Sequence, residues 1–265
     1  VRFVEESAGQ PFFLYLSFNA PHTPMQAPEE DIAKYAHLKK KHKYRPTYAA
    51  MVNVMDRNIQ KVLDAVDSAG VAGDTLVVFL SDNGGPEPVS GSDNGPLRGI
   101  KGDTLEGGIR VPFAMKWPGV VKPGTVVDAP VLSIDLLPTS LAAAGSKIPE
   151  ELNGINLLPA LTGKALMPER VLNFLFAHSP GNQNHWKWAV RDGDWKLVRF
   201  SPRDGTPIQT ALFNLKEDLG EQNDLTAAHP EIRRRVRNLH ETWFNSLPEP
   251  FSNLDPVAYE KFMKA

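Results

Sequence analysis

Cysteine is absent from the 265 residues. That excludes a disulfide framework, a thiolate nucleophile and any cysteine-built metal site, and it identifies no compartment. Long apolar runs are missing too, and nothing approaches the ~20 residues that a helix needs to span a bilayer. Net charge is almost absent: 29 basic side chains stand against 31 acidic ones, for a formal charge of −2. Such a balance argues against duplex DNA or an anionic membrane as partner of the whole surface and leaves local basic patches open. There is no Walker loop, no Rossmann glycine fingerprint and no HExxH. No leader is visible in "VRFVEESAGQPFFLYLSF", which enters almost at once what reads as an internal strand, as a processed or truncated chain would.

What is present suits one large domain, or one large and one small, with a substantial core. "PFFLYLSF" (11–18) reads as a buried strand bounded by Pro11 and Asn19-Ala20-Pro21. A proline-punctuated loop follows, and then a basic run, "HLKKKHKYR" (37–45), read as solvated surface. Pro46 to Ala69 predicts a helix with a stripe of Tyr48, Val52, Met55, Ile59, Val62 and Val66, closed by Gly70. "DTLVVFL" (74–80) predicts a buried strand that completes the αβ half of a right-handed crossover. Residues 81–108 are loop-like, a length that points to function. "RVPFAMKWPG" holds another strand, and "SIDLLPTSLAAAG" a short helix with Ser133 as cap and Gly145 as stop.

Beyond about residue 165 the pattern changes. "RVLNFLFAH", "HWKWAVRDGDWKLVRF" and "TALFNL" predict strands joined by Asp192-Gly193 and Asp204-Gly205 turns. "HPEIRRRVRNLHETWF" predicts a helix with Ile232, Val236, Leu239 and Trp243 on one face. The outcome is a small α+β unit whose sheet is covered by one helix.

Chemistry is expected in three loops. In "TLVVFLSDNGGP", Asp82 and Asn83 place hard oxygen donors just beyond a strand, where open α/β sheets collect ligands. The same residues also suit a plain turn. His22 sits in a proline-stiffened loop after a strand, placed to donate a proton or bind an anion, or to be a surface histidine. "PLRGIKGDTLEGGIRVP" brings Arg98, Lys101 and Arg110 into a glycine-rich loop able to neutralise an oxyanion. Its other reading is a solvated loop in which Arg110 and Glu106 pair.

"PFFLYLSFNAPHTP", "TLVVFLSDNGG", "LRGIKGDTLEGGIRVPF", "SIDLLPTSLAAAG", "AVRDGDWKLV" and "LFNLKEDLGEQNDL", in this order, resemble the sulfatase family of the alkaline-phosphatase-like superfamily. The resemblance implies part of a doubly wound sulfatase-type α/β sheet (1–165), then a small α+β C-terminal subdomain with an antiparallel sheet and one helix (166–247), and a tail (248–265). It implies Asp82 and Asn83 as metal ligands for Ca2+, with Mg2+ the alternative. It makes His22 and Lys101 catalytic, the first assisting departure of the alcohol and the second binding a sulfate oxygen. Glu106 and Arg110 fall on positions expected to be structural. The family's nucleophile is a formylglycine made within Cys/Ser-x-Pro-Ser/Ala-Arg. Ser246 is the sole serine with proline two residues on, and no arginine follows it.

The chain therefore reads as the C-terminal half of a sulfatase, with formylglycine expected upstream of Val1 and no turnover expected from this chain alone. The expected partners are a sulfated small molecule or carbohydrate and either the missing N-terminal half or a second copy, with no nucleic acid and no membrane span. Family resemblance implies a periplasmic, secreted or lysosomal location. A non-catalytic assembly module and part of a related phosphoesterase are the alternatives. "HSPGNQNHWKW" has a composition suited to sugar contact, making His185 and Trp186 candidate substrate contacts.

Overall fold

The computed structural model describes residues 1–176, 186–202 and 206–247. In chain order come α1 (Arg2–Ser7), α2 (Glu29–Lys34), a 3-10 turn (Ala36–Lys40), α3 (Arg45–Ser68), a second 3-10 turn (Ala72–Asp74) and β1 (Val77–Leu80). Then follow α4 (Glu87–Ser90), α5 (Glu106–Ile109), β2 (Phe113–Lys116), a 3-10 turn (Ser133–Asp135), α6 (Leu136–Ala143) and α7 (Leu158–Leu161). The chain continues with β3 (Leu172–Phe176), β4 (Lys187–Asp192), β5 (Trp195–Phe200), β6 (Gln209–Asn214) and α8 (Pro230–Ser246). Two compact units result. One comprises Val1–Ser81, Pro88–Ser92 and Pro112–Pro168; the other comprises Asp82–Glu87, Asp93–Val111 and Glu169–Ala265.

In the first unit, α3 is the long element. Pro46 fits its first turn, where a missing N–H costs nothing, and Gly70 follows its end with φ +71°. Val4 of α1 packs on Ala65 and Val66. The expected stripe is only half covered between Tyr48 and Val62, while Ala50, Met51, Ala65 and Val66 are buried. Arg57 of α3 forks onto Asp31 of α2 through two bonds of 2.7 Å, and Lys34 adds a third donor at 2.7 Å. These hydrogen bonds hold the Asp31 carboxyl well below the usual carboxylate range. β1 pairs antiparallel with β2, Val77 opposite Lys116 and Leu80 opposite Phe113. No parallel partner for β1 occurs among the described residues. The cap expected from Ser133 is supplied by Asp135, whose carboxylate accepts from the Leu132 and Ile155 backbone N–H groups at 2.7 and 2.9 Å.

The stretch 11–18 departs from expectation. It joins no ladder among the described residues, and Phe13 and Tyr15 are 78% and 81% exposed. A strand persists by giving its backbone groups a neighbour. No described segment of this chain supplies one to residues 11–18.

The second unit carries a four-stranded antiparallel meander in the order β3-β4-β5-β6. Register sets Ala189 opposite Val198 and Val198 opposite Ala211, with Val190, Leu197 and Leu212 in the adjacent row. Side chains alternate between faces along a strand, so these two rows point to opposite sides. Val236 of α8 packs on Val190, Leu197 and Leu212, joined by Ile232 and Leu239. The other face, on which Ala189, Val198, Phe200, Ala211 and Phe213 cluster, is covered by Leu105 from the glycine-rich loop. The expected single-helix cover thus accounts for one face only, and the 93–111 loop closes the second.

Candidate active site

Three glycines bring the Asp82-Asn83 turn against the Lys101 loop. A Cβ on Gly84 would lie 1.7 Å from the Gly107 carbonyl oxygen. One on Gly107 would lie 2.3 Å from the Gly99 oxygen, and one on Gly108 2.2 Å from the Asp103 oxygen. No larger residue fits such approaches. The Gly84 N–H donates to the Gly108 carbonyl at 3.0 Å, and the Gly107 N–H to the Arg98 carbonyl at 2.7 Å. Asn94 adds a side-chain bridge. Its Oδ1 accepts from the Gly85 N–H at 2.9 Å while its Nδ2 donates to the Gly85 and Gly99 carbonyls at 3.0 and 3.1 Å. Asn94 went unread at the sequence level, although "SDNG" at 92–95 repeats the tetrapeptide at 81–84.

Lys101 occupies the corner of a tight turn. The Asp103 N–H donates to the Ile100 carbonyl at 2.9 Å, and the Ile100 N–H donates back to Asp103 Oδ2 at 3.0 Å. Gly102 takes φ +84°, the value a type II turn requires at its third residue. Lys187 of β4 clamps the turn, its Nζ 2.7 Å from Asp103 Oδ1 and 3.0 Å from the Gly102 carbonyl. Lys101 itself is exposed. Arg98 is committed elsewhere, donating to the Glu221 carbonyl at 2.8 Å with its guanidinium 4.8 Å from the Phe200 ring centre. A shallow cleft of about 220 Å³ lies beside it, lined by Arg98, Asp103, Leu105 and Phe200 among others.

Beneath the loop lies a buried ionic triad. Lys196 Nζ of β5 is 2.7 Å from Glu106 Oε1 and 2.8 Å from Glu221 Oε1. The approach to Glu221 Oε1 is off the direction of a good hydrogen bond, and its Oε2 accepts from the Glu106 backbone N–H at 2.6 Å. Arg110 stands 3.8 Å from Glu106 Oε2, so the pair expected between them forms only loosely. Burial pushes the Glu221 carboxyl above its ordinary value, against the pull of Lys196. Glu221 also adopts φ +53°, rare for a residue with a side chain. The signal for Lys196 was a charge at an inward position of the alternating run "WKLVRF".

His22 belongs to the first unit. Its N–H donates to the Asn19 carbonyl at 2.8 Å, and its Nδ1 to the Thr23 carbonyl at 2.8 Å. The second bond assigns the proton to Nδ1, because the Thr23 carbonyl can only accept. His185 lies outside the described residues. Trp186 is buried, with 4% of its surface exposed and its ring 6.1 Å from Phe244. The expected sugar contact has little surface to use, because the described residues leave Trp186 almost wholly covered.

The donor set at 82–83 fits a hard cation in chemistry and falls short in number. Asp82 presents an exposed carboxylate. Asn83 Nδ2 donates to the Gly84 carbonyl at 3.0 Å, which turns Oδ1 away from that carbonyl. Calcium takes about 6–8 oxygens. Among the described residues no three His, Asp or Glu side chains gather into a metal-holding cluster.

Comparison with known proteins decides the class. The profile of the Sulfatase family matches residues 1–146, and that of the N-sulphoglucosamine sulphohydrolase C-terminal region matches residues 102–246. The chain belongs to the sulfatase family. A sulfatase from Formosa agariphila is 31% identical over 96% of this chain and 50% of its own length. The steryl-sulfatase of Mus musculus is 33% identical over 89% of the chain and 41% of its own length. Among solved structures, Ps i-CgsB in complex with k-i-k-neocarrahexaose shares 35% identity with a TM-score of 0.81, over 91% of this chain and 52% of that one. The fold is accordingly the sulfatase-type α/β arrangement. The chain spans about half the length of the curated relatives it matches.

Proposed function

We propose that this sulfatase chain supplies one part of the active site of a sulfuric-ester hydrolase acting on sulfated carbohydrate. The observation that carries this reading is the glycine crossing, Gly84 on Gly107 and Gly108, which sets two oxygen-donor residues against a loop bearing an exposed lysine. A sulfate ester needs those two kinds of group side by side.

Asp82 and Asn83 would hold Ca2+, or Mg2+, through carboxylate and amide oxygens. The bound ion would draw charge from the sulfate oxygens. Lys101 would bind a sulfate oxygen through its ammonium and stabilise the charge that builds there as the ester bond breaks. His22, its Nδ1 anchored on the Thr23 carbonyl, would donate a proton from Nε2 to the departing alkoxide. The nucleophile is outside this set, since the chain has no cysteine and no Ser-x-Pro-x-Arg from which to make a formylglycine.

Carbohydrate is the substrate class favoured because a 35%-identical relative was solved with k-i-k-neocarrahexaose. The exposed aromatics of residues 11–18 support association with the N-terminal half of a sulfatase. The test is sulfate release from an aryl sulfate and a sulfated oligosaccharide. The homogeneous 265-residue chain is expected to release none. Mixed with a formylglycine-bearing N-terminal half from a family relative, it is expected to associate and turn over. Turnover by the chain alone would overturn the divided-site reading, and association without turnover would overturn the sulfatase activity.

A further inference from the structure

The basic run ahead of α3 has no role in the site above, and the fold itself gives no reason for it. Lys39, Lys40, Lys41 and Lys43 are all exposed, within five residues of one another. His37 is exposed beside them, and in a 3-10 turn residues three apart stack, so His37 and Lys40 share a side. No acid occurs between Asp31 and Asp56. None of the four lysines has an ion pair among the described residues. Their neighbours differ: Lys34 and Arg57 both close on Asp31 at 2.7 Å. The run also sits just ahead of the first turn of a 24-residue helix, where the backbone dipole disfavours cations. Four like charges assembled against that field lower stability, and a local conflict of this kind marks a functional surface.

We infer that residues 37–44 form a docking surface for a linear sulfated glycan, with a role other than the reaction chemistry. Lysine supplies strongly hydrated, mobile point charges, which suit sulfates spaced irregularly along a flexible polymer. Binding gains from release of the polymer's condensed counterions. Tyr44, 39% exposed with Lys43 Nζ 4.7 Å from its ring centre, adds an aromatic face for a sugar ring. The patch is short, and the whole chain carries −2. A broad rigid duplex would extend past the patch onto a surface with no net positive charge to hold it, whereas a single glycan strand can engage the patch alone. Arg45, the arginine of the run, donates to the Gly91 carbonyl at 2.7 Å and is not offered as a phosphate fork. The choice of a sulfated glycan among polyanions rests on the function proposed above, and binding is measured without turnover, so the two readings fail separately.

The experiment is titration of the 265-residue chain with heparin at several salt concentrations. Tight binding at low salt is expected, with a log–log salt slope on the order of −3 for four charges, or roughly 60-fold weakening between 50 and 200 mM. The quadruple variant with Lys39, Lys40, Lys41 and Lys43 each changed to Ser should lose at least about tenfold in affinity at low salt, as loss of several phosphate-type contacts does. A second variant, with exposed Lys122, Lys147, Lys164 and Lys216 changed to Ser, removes the same charge and should bind as the parent does. Both should keep the parent's thermal transition. The inference is overturned if heparin fails to bind, if the two variants lose affinity equally, or if duplex DNA or phosphatidylserine vesicles bind as tightly.

Discussion

Lys196 and Glu221 meet at 2.8 Å with neither side chain showing any surface to solvent. Glu106 closes on the same ammonium at 2.7 Å, so one buried cation serves two carboxylates. Replacing Lys196 by Met is expected to cost about 3–5 kcal/mol, because it strands buried negative charge. Glu221→Gln should cost markedly less, since it keeps an acceptor for the Glu106 N–H and removes the unmatched charge. The Glu221 carboxyl is raised by burial. It therefore binds its proton in the folded state where the unfolded chain has lost it. Its contribution to stability is present below the ordinary glutamate pKa and is lost as pH rises. Urea denaturation of the two variants across pH checks this, and a neutral Lys196→Met would refute it.

Gly84 tests the crossing. Gly84→Ala directs a methyl group to 1.7 Å from a backbone oxygen. The expected loss is about 3 kcal/mol or more, at the upper end for overpacking. Gly73→Ala, with nothing within 4 Å of the added carbon, should stay within about 0.5 kcal/mol of the parent. Equal melting temperatures for the two variants would mean that the strands of backbone do not cross as described.

His240 should give the second unit an acid-sensitive fold. Its ring stacks on Trp188 at 4.2 Å, with Asn173 Oδ1 3.3 Å from Nδ1 and Trp243 and Phe244 around it. Burial pushes its pKa down to about 4, with Glu241 opposing and Arg237 reinforcing. The unfolded chain then takes up a proton near pH 6.5 that the folded chain refuses until about pH 4. Stability is full above the unfolded value and falls as pH drops through that window, by roughly 3 kcal/mol in all. Denaturation midpoints between pH 4 and 7, for the parent and for His240→Phe, measure it. A parent curve as flat as the variant's would contradict the burial.

In a turnover-competent assembly with an N-terminal half, Lys101→Ala is expected to lower kcat by about 100- to 1,000-fold, the usual effect of removing one oxyanion partner. His22→Ala should slow esters of poorly acidic alcohols far more than aryl sulfates, whose leaving groups need no proton. Both residues are exposed, so the melting temperature of the chain should not move. Initial rates on the two ester types distinguish these roles from general damage.

Much of this architecture is legible in local pattern. The helix at 45–68, the four C-terminal strands and the amphipathic helix at 230–246 each carry their own period, and Asp192-Gly193 marks a turn whose glycine takes φ +59°. The Asp204-Gly205 turn lies outside the described residues. What local pattern does not carry is partnership across distance. Lys187 finds Asp103, and Lys196 finds Glu106 and Glu221, through strand register and loop path. Residues 11–18 mislead for the converse reason. Their composition states a preference for burial, and apart from the edge-on contact of Phe12 with Phe3 the aromatics stay exposed.

Leu105 on one face of the meander, and Lys187 and Lys196 reaching up to Asp103 and Glu106, make the C-terminal sheet the floor on which the lysine loop is laid. Damage to that floor would reach the proposed reaction indirectly. A lesion at Val198 or Phe213, more than a hundred residues from Asp82 in sequence, would leave every reacting group in place chemically and blur where the loop carries them.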